Sequence, residues 1–395
     1  MSLLSEIQKL SGQYANEVVA IRRHIHQHPE LSYQEFETAK FITEKLKSFG
    51  LNPTTIASTG VLVLIEGKNP NKKTVALRAD IDALPITETN TIDYKSTKPG
   101  VMHACGHDVH TASMLGTAKI LSGVRQHFEG TVKILFQPGE EKNPGGASIM
   151  IKEGALENPT PASIIGQHVF PLLPVGKVGF REGKYMASSD EIYLRVIGKG
   201  GHGAAPELTI DPVVIASHII IALQQVISRN ASPKQPTVLT FGKIVAAGAT
   251  NIIPDEVQIS GTFRALDETW RASGLEKIRK MAESLAEGMG GRCEVKISRG
   301  YPYLENNPEV TRRIRKAAEE YVGKDNVVDI DLTLGSEDFA YYSHVVPASF
   351  YRLGTRNEEK GITSYVHTPT FNIDEDALKI STGLMAWMAI GELQA

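Results

Sequence analysis

Along the first half of the chain, apolar positions at helical spacing give way to short continuous runs and back again. Residues 1–30 (MSLLSEIQKLSGQYANEVVAIRRHIHQHPE) mix charges among apolar side chains and read as one amphipathic helix. Residues 74–79 (TVALRA), 131–136 (TVKILF) and 163–166 (SIIG) are short, apolar and rich in β-branched residues, as strands are. Between them, 111–121 and 147–151 have helical character. The alternation predicts an α/β architecture, a mixed and largely parallel sheet flanked by helices.

From about residue 189 the rhythm changes. A strand (EIYLRVIG) leads to a long helix opening near Asp211-Pro212, then strands at 237–246 and 256–265, a helix at 268–289 and a strand at 293–298. That order, βαββαβ, is the ferredoxin-like α+β arrangement. After Tyr301 the α/β material resumes with a helix, a strand near 327–332, the strand SFYRLG and a closing helix from Asp374. The expected division is a discontinuous catalytic domain, 1–187 and 299–395, interrupted by a smaller domain at 188–298.

Composition narrows the partners. At 395 residues the chain is too long for one typical core. Hydrophobic residues at 41% and charged ones at 22% describe an ordinary soluble globular protein. A formal charge of −3 leaves no basic footprint for nucleic acid or an anionic membrane. The amino terminus lacks both the apolar core of a secretory signal and a run long enough to span a bilayer. The two cysteines, Cys105 and Cys293, cannot form a disulfide framework for a chain this size, so a reducing compartment, the cytoplasm, is expected. Cys293 reads as a small buried hydrophobe. Cys105 differs, because histidines flank it on both sides.

The polar residues that end each apolar run carry the candidate chemistry. The first run ends in Arg78 and Asp80, the second leads through a Pro-Gly turn to Glu140 and Glu141, and the third leads to His168. Open α/β sheets place ligands outside the carboxyl ends of their strands, so these tips stand where a site is expected. The densest cluster is 102–110 (MHACGHDVH), in which Cys105 and His107 can face one ion across the permissive Gly106. His367 in Val366-His367-Thr368-Pro369 adds a late candidate on a loop. A thiolate and one carboxylate carry two negative charges and three imidazoles none, so two divalent ions would keep net positive charge and lower the pKa of bound water. The other carboxylate of the Glu-Glu pair is then free to take the water's proton.

These residues lie in motifs that resemble one family from end to end: RRHIHQHPELS, ALRADIDALP, MHACGHDVHTA, LFQPGEE, GKGGHGAAP, TNIIPDEV, GTFRALD, GSEDFAYY and VHTPTFNIDEDAL. The chain resembles the M20 metallopeptidases, in the amidohydrolase branch of aminoacylase-like, hippurate hydrolase-like and auxin-conjugate hydrolase-like enzymes. The resemblance implies a zinc-peptidase-like fold with the inserted domain as lid and dimerisation domain, hence a homodimer or higher oligomer. It implies hydrolysis of N-acyl amino acids, with a dipeptidase, a carboxypeptidase or a catalytically silent metal-binding protein as alternatives. By the same resemblance Cys105 bridges two divalent ions, His107, Glu141, His168 and His367 are the other ligands, and Glu140 is the general base. The wider family carries His-x-Asp where this chain has Arg78-Ala79-Asp80, which leaves Asp80 to orient an imidazole. His202, in the Gly200–Gly203 turn, resembles the histidine that reaches a partner subunit to stabilise the oxyanion. Asn251 and Arg264 match residues that hold the substrate carboxylate, with Gly335 and Ser336 adding backbone contacts. The metal is left among zinc, manganese, cobalt and nickel. His24, His26 and His28, with Glu30 and Glu35, read as a dressed helix surface. His103, Asp108 and His110 read as supports of the ligand loop, and Glu337 and Asp338 as supports or helix caps.

Overall fold

The apolar runs become the inner strands of an eight-stranded sheet in the computed structural model, which describes residues 2–395. Its strands are β1 (Thr54–Ile56), β2 (Gly60–Glu66), β3 (Thr74–Asp80), β4 (Thr131–Gln137), β5 (Ser163–Pro174) and β6 (Val178–Phe180), joined by Val327–Asp329 and Ala348–Arg356. They lie in the order β1, β2, β4, β3, β5, Ala348–Arg356, β6, Val327–Asp329. β3 runs parallel to β4 and β5, and β5 parallel to Ala348–Arg356, whereas β1 and β2 add an antiparallel edge. Every residue of β3 and β4 is buried, which is why their sequences run apolar without alternating. Helices α1 (Leu3–Gln27) and α3 (His107–Val124) pack with Asp376–Gln394 and bring Ile21, Leu115 and Leu384 into one core with Leu77 of β3. A further helix, α2 (Phe36–Ser48), packs against α3 and β2. These elements form the first of two compact units, Met1–Tyr185 with Glu305–Leu332 and Asp338–Ala395.

Register puts the polar tips of this sheet at one level. Asp80 is opposite Gln137, and Arg78 is opposite Gly166, so His168 lies two residues beyond, level with Asp80. The parallel strands thus deliver their polar residues together at their carboxyl ends.

The second unit comprises Met186–Leu304 and Thr333–Glu337. Its sheet has the order Val238–Ala246, Glu256–Arg264, Asp190–Ile197, Arg292–Arg299, antiparallel throughout. With helices Pro212–Gln225 and Glu268–Gly288 between strands, this is the ferredoxin-like topology. Asp211 caps the first helix by accepting the N–H groups of Val213 and Val214, with Pro212 at the position where proline is tolerated. Residues Pro212–Asn230 are apolar and long enough to cross a membrane by length and composition. In this unit Ile215, Ile219 and Leu223 of that stretch instead share a core with Ile192, Val257 and Ile278.

Beyond small shifts at the ends of elements, the structure departs from the sequence reading in three places. Helix α3 begins at His107 rather than 111, and β5 continues to Pro174. The surface reading of the amino-terminal charges also fails. His24 and His28 are exposed, but Arg22, His26 and Glu35 are 0% exposed and Glu30 is nearly buried. On α1 the buried residues Val18, Ile21, Arg22, Ile25 and His26 form one stripe at helical spacing, so two charged groups occupy the apolar face. They are accommodated by Asp108, whose Oδ2 accepts from Arg22 Nε at 2.7 Å and lies 2.8 Å from His26 Nδ1. Such burial is tolerated only because each charge meets an opposite one.

Candidate metal centre

Cys105 and His107 are brought together by a turn that only glycine fits. Gly106 has φ +83°, and a Cβ there would meet Val169 Cγ2 at 2.6 Å. The helix α3 starts at the next residue, His107. On the opposite side His367 adopts a left-handed conformation (φ +62°) and donates its backbone N–H to the Ala104 carbonyl at 2.7 Å. That bond places the His367 ring over the cysteine. Cys105 Sγ lies 3.3 Å from His168 Nε2 and 3.3 Å from His367 Nε2. Glu141 Oε1 is 3.3 Å from His367 Nε2 and 3.9 Å from His107 Nε2.

These atoms fall into two donor triads that share one sulfur. One is Cys105, His107 and His168, and the other is Cys105, Glu141 and His367. A third group joins His107 to Glu140 and Glu141. Glu140 Oε2 is 4.0 Å from His107 Nε2, and its Oε1 accepts the Asp338 N–H at 3.4 Å. His107 Nε2 and Glu141 Oε1 are buried and make no hydrogen bond, and both belong to the donor groups, so their free lone pairs suit a cation.

The electrostatics agree. Burial opposes charge on His107, but Asp80, Asp82 and Glu141 outweigh it and push its pKa up to about 10. Burial, then Glu141, Glu140 and Asp80, raise the Cys105 thiol well above its ordinary value. Burial, followed by Arg352 and His110, holds His168 well below the usual imidazole range. Burial and the surrounding carboxylates thus oppose a thiolate on Cys105, and the carboxylates favour positive charge at His107, a balance that a cation among these groups would reverse. Sulfur, imidazole and carboxylate donors at these separations fit two divalent ions.

Supporting groups fix the rings. His107 Nδ1 faces the Asp82 carboxylate at 3.1 Å and the Asp82 carbonyl at 2.9 Å, which leaves Nε2 as the donor atom. Asp80 serves a different imidazole, His110, at 2.5 Å. His110 Nε2 accepts the Val169 N–H at 2.9 Å, so its proton sits on Nδ1 and points at Asp80. Arg78, fully buried, donates to Asp80, Gln137 and Asp338 at 2.6–2.9 Å. Asp82 was not among the residues expected from sequence. Its signal was the Asp80-Ile81-Asp82 alternation, which in extended chain turns both carboxylates the same way.

The remaining expected residues lie in the second unit. His202 is exposed on a two-residue ribbon, Gly201–His202, paired with Ile252–Ile253. Its Nδ1 accepts the Ala204 N–H at 3.0 Å, so the neutral ring carries its proton on Nε2. Asn251 is exposed beside it, its carbonyl accepting the Gly203 N–H. Arg264 is half-buried and donates to Ser336 Oγ at 3.1 Å, while the Gly335 carbonyl accepts the Ala187 N–H.

Known proteins resemble this chain over nearly its whole length. The profile of peptidase family M20/M25/M40 matches residues 76–390. The N-acyl-L-amino acid amidohydrolase of Geobacillus stearothermophilus is 43% identical over 305 residues, covering 77% of this chain and 82% of its own. Thermostable carboxypeptidase 2 of Saccharolobus solfataricus is 38% identical over 99% of each chain. Among solved structures, the Bacillus subtilis YXEP protein, a dinuclear metal binding peptidase from the M20 family, matches with TM-score 0.82 at 34% identity, covering 97% of this chain and 99% of that one.

Proposed function

The chain belongs to peptidase family M20/M25/M40, and from that membership we propose that it hydrolyses the amide bond of N-acyl amino acids to a carboxylic acid and a free amino acid. It is a hydrolytic enzyme acting on amides, and its centre takes two metal ions. The observation that supports the reading most is the pair of donor triads meeting at the Cys105 sulfur. In this reading Cys105, His107 and His168 would hold one ion, and Cys105, Glu141 and His367 the other. When bound, the ions supply Lewis acidity, polarising the scissile carbonyl and lowering the pKa of water. Thiolate favours zinc, while manganese, cobalt and nickel accept the same imidazoles and carboxylate. The thiolate also suits a reducing compartment such as the cytoplasm.

Glu140 takes the proton of the attacking water and returns it to the leaving nitrogen, a task for a carboxylate held beside the ligands but not bound by them. Asp82 holds His107 in its ligating orientation, and Asp80 holds His110. Residues 188–298 act as lid and dimerisation domain of a homodimer or higher oligomer, and 1–187 with 299–395 as the catalytic domain. There His202 offers its Nε2 proton to the oxyanion forming in a partner subunit's site. Arg264 and Asn251, with Ser336 and Gly335, receive the substrate's free carboxylate. A carboxypeptidase or dipeptidase is the second reading, favoured by the name of the Saccharolobus relative.

Metal analysis coupled to a screen of N-acetyl amino acids, hippurate and dipeptides tests these assignments. Two ions per chain and preferred turnover of the acylated amino acids are expected. Preferred turnover of dipeptides would install the second reading, and two bound ions with no hydrolysis at all would leave a metal-binding protein.

A further inference from the structure

The Gly139-Glu140-Glu141 turn is gripped from a segment that contributes no ligand. Glu35, fully buried, accepts the Gly139 N–H at 2.8 Å and the Tyr33 N–H at 2.9 Å on one oxygen, and the Thr59 hydroxyl at 2.7 Å on the other. Tyr33 donates its hydroxyl to the Lys142 carbonyl at 2.8 Å and accepts the Gly145 N–H at 3.1 Å. Ser32 donates to Asp82 Oδ2 at 2.6 Å, and the same oxygen accepts the Glu141 N–H at 3.0 Å. Residues 32–35 therefore hold the turn before, at and after its two glutamates. The fit is close: Gly139 has φ +59°, and a Cβ there would meet the Tyr33 ring at 2.3 Å.

We infer that Glu35 is a positioning residue for the two-glutamate turn, its three accepted hydrogen bonds setting where Glu140 holds a proton and where Glu141 aims its ion-facing oxygen. The inference rests on the roles proposed above for Glu140 and Glu141. All three bonds are ones that Glu35 accepts, and burial raises the pKa of its carboxyl in spite of them, so acceptor geometry rather than charge is what the turn requires. Glutamine meets that requirement, because its amide oxygen accepts both N–H groups and its amide nitrogen donates to the Thr59 hydroxyl. Aspartate, one methylene shorter, falls short of the turn, and alanine has no acceptor.

The test uses the full chain as Glu35→Gln, Glu35→Asp and Glu35→Ala, with zinc affinities from chelator competition and steady-state kinetics on the metal-loaded protein. Glu35→Gln is expected to match the parent. Glu35→Asp and Glu35→Ala are expected to bind one of the two ions about 10–100-fold more weakly. Their kcat at saturating zinc is expected to fall with KM nearly unchanged, the pattern of a group lost only to the transition state. Parental zinc affinities and kcat in a folded Glu35→Asp or Glu35→Ala would overturn the inference, as would a Glu35→Gln variant as impaired as Glu35→Ala. Should Glu35→Ala not fold, Glu35→Asp, which keeps the charge, carries the comparison. A parent chain that turns over no N-acyl amino acid would sink the proposed function, while the zinc affinities would still decide the role of Glu35.

Discussion

The metal centre and the candidate substrate-contact residues of the second unit are built on opposite terms. Around the centre the groups that support the candidate ligands are buried and have two or three fixed partners, from Arg78 with Asp80, Gln137 and Asp338 to Asp82 with His107, Ser32 and Glu141, and of the candidate ligands His367 is exposed. His202 and Asn251 are exposed, and the half-buried Arg264 donates to Ser336. A site that must hold cations against a low dielectric has to be organised by the fold itself. Groups that meet a substrate can leave part of their hydrogen bonding open until it arrives. Errors in the first region should therefore appear in metal binding and kcat, and errors in the second in KM.

The largest expected effect separates the ligands from the base. Glu140→Gln should keep both ions and lose roughly 10²–10⁴-fold in kcat, measured by steady-state kinetics beside metal analysis. Near-parental turnover would remove Glu140 from the mechanism. Next is Cys105→Ser, which strikes both donor triads and should weaken both ions by more than the roughly 10–100-fold typical of losing a mere supporting partner. Retention of two tightly held ions by that variant would contradict a shared sulfur. In the second unit, Arg264→Ala should raise KM roughly tenfold or more, the worth of a charge-assisted hydrogen bond, with kcat little changed. An equal fall in kcat at constant KM would blur the contrast between the two regions.

The smallest effect concerns the metal-free protein. His107 is raised to about 10 from an ordinary 6.5, so its contribution to stability is complete below 6.5 and is lost as pH rises towards 10. Urea midpoints of metal-stripped protein should fall over that window, and the fall should shrink in His107→Asn. In the loaded protein the ion takes the proton's place, so this component should vanish. Identical slopes in stripped and loaded protein would show that His107 does not face an ion.

The same contrast explains what was readable in the sequence. The strand tips at Asp80, Glu140, Glu141 and His168 were legible because apolar β-branched runs announce buried parallel strands. The ferredoxin-like order was legible for the same reason, and Asp211-Pro212 marked its first helix start. Buried polar groups on or beside helices were not, because periodicity assigns charged side chains to the surface. His107, Asp108 and His110 hid the first turn of α3, and Glu35 and His26 passed as helix dressing. For His26 and Arg22 the spacing with Val18, Ile21 and Ile25 was available and pointed inward. Glu35 offered no such signal, since its partners Gly139 and Thr59 are remote in sequence. His367 stood out only as a late candidate on a loop, and its place at the centre came through family resemblance, its left-handed backbone and its bond to Ala104 having no local signature.

That bond from His367 to Ala104 has a consequence for how the enzyme is made. The two residues are joined at 2.7 Å, yet the ribosome polymerises Ala104 long before it reaches His367. In the reading proposed above, a nascent or truncated product lacking residue 367 would have Cys105, His107 and His168 to offer one ion and would lack a donor to the other. With the ligands proposed above, loading of both ions would then wait until His367 has been made and has folded onto Ala104.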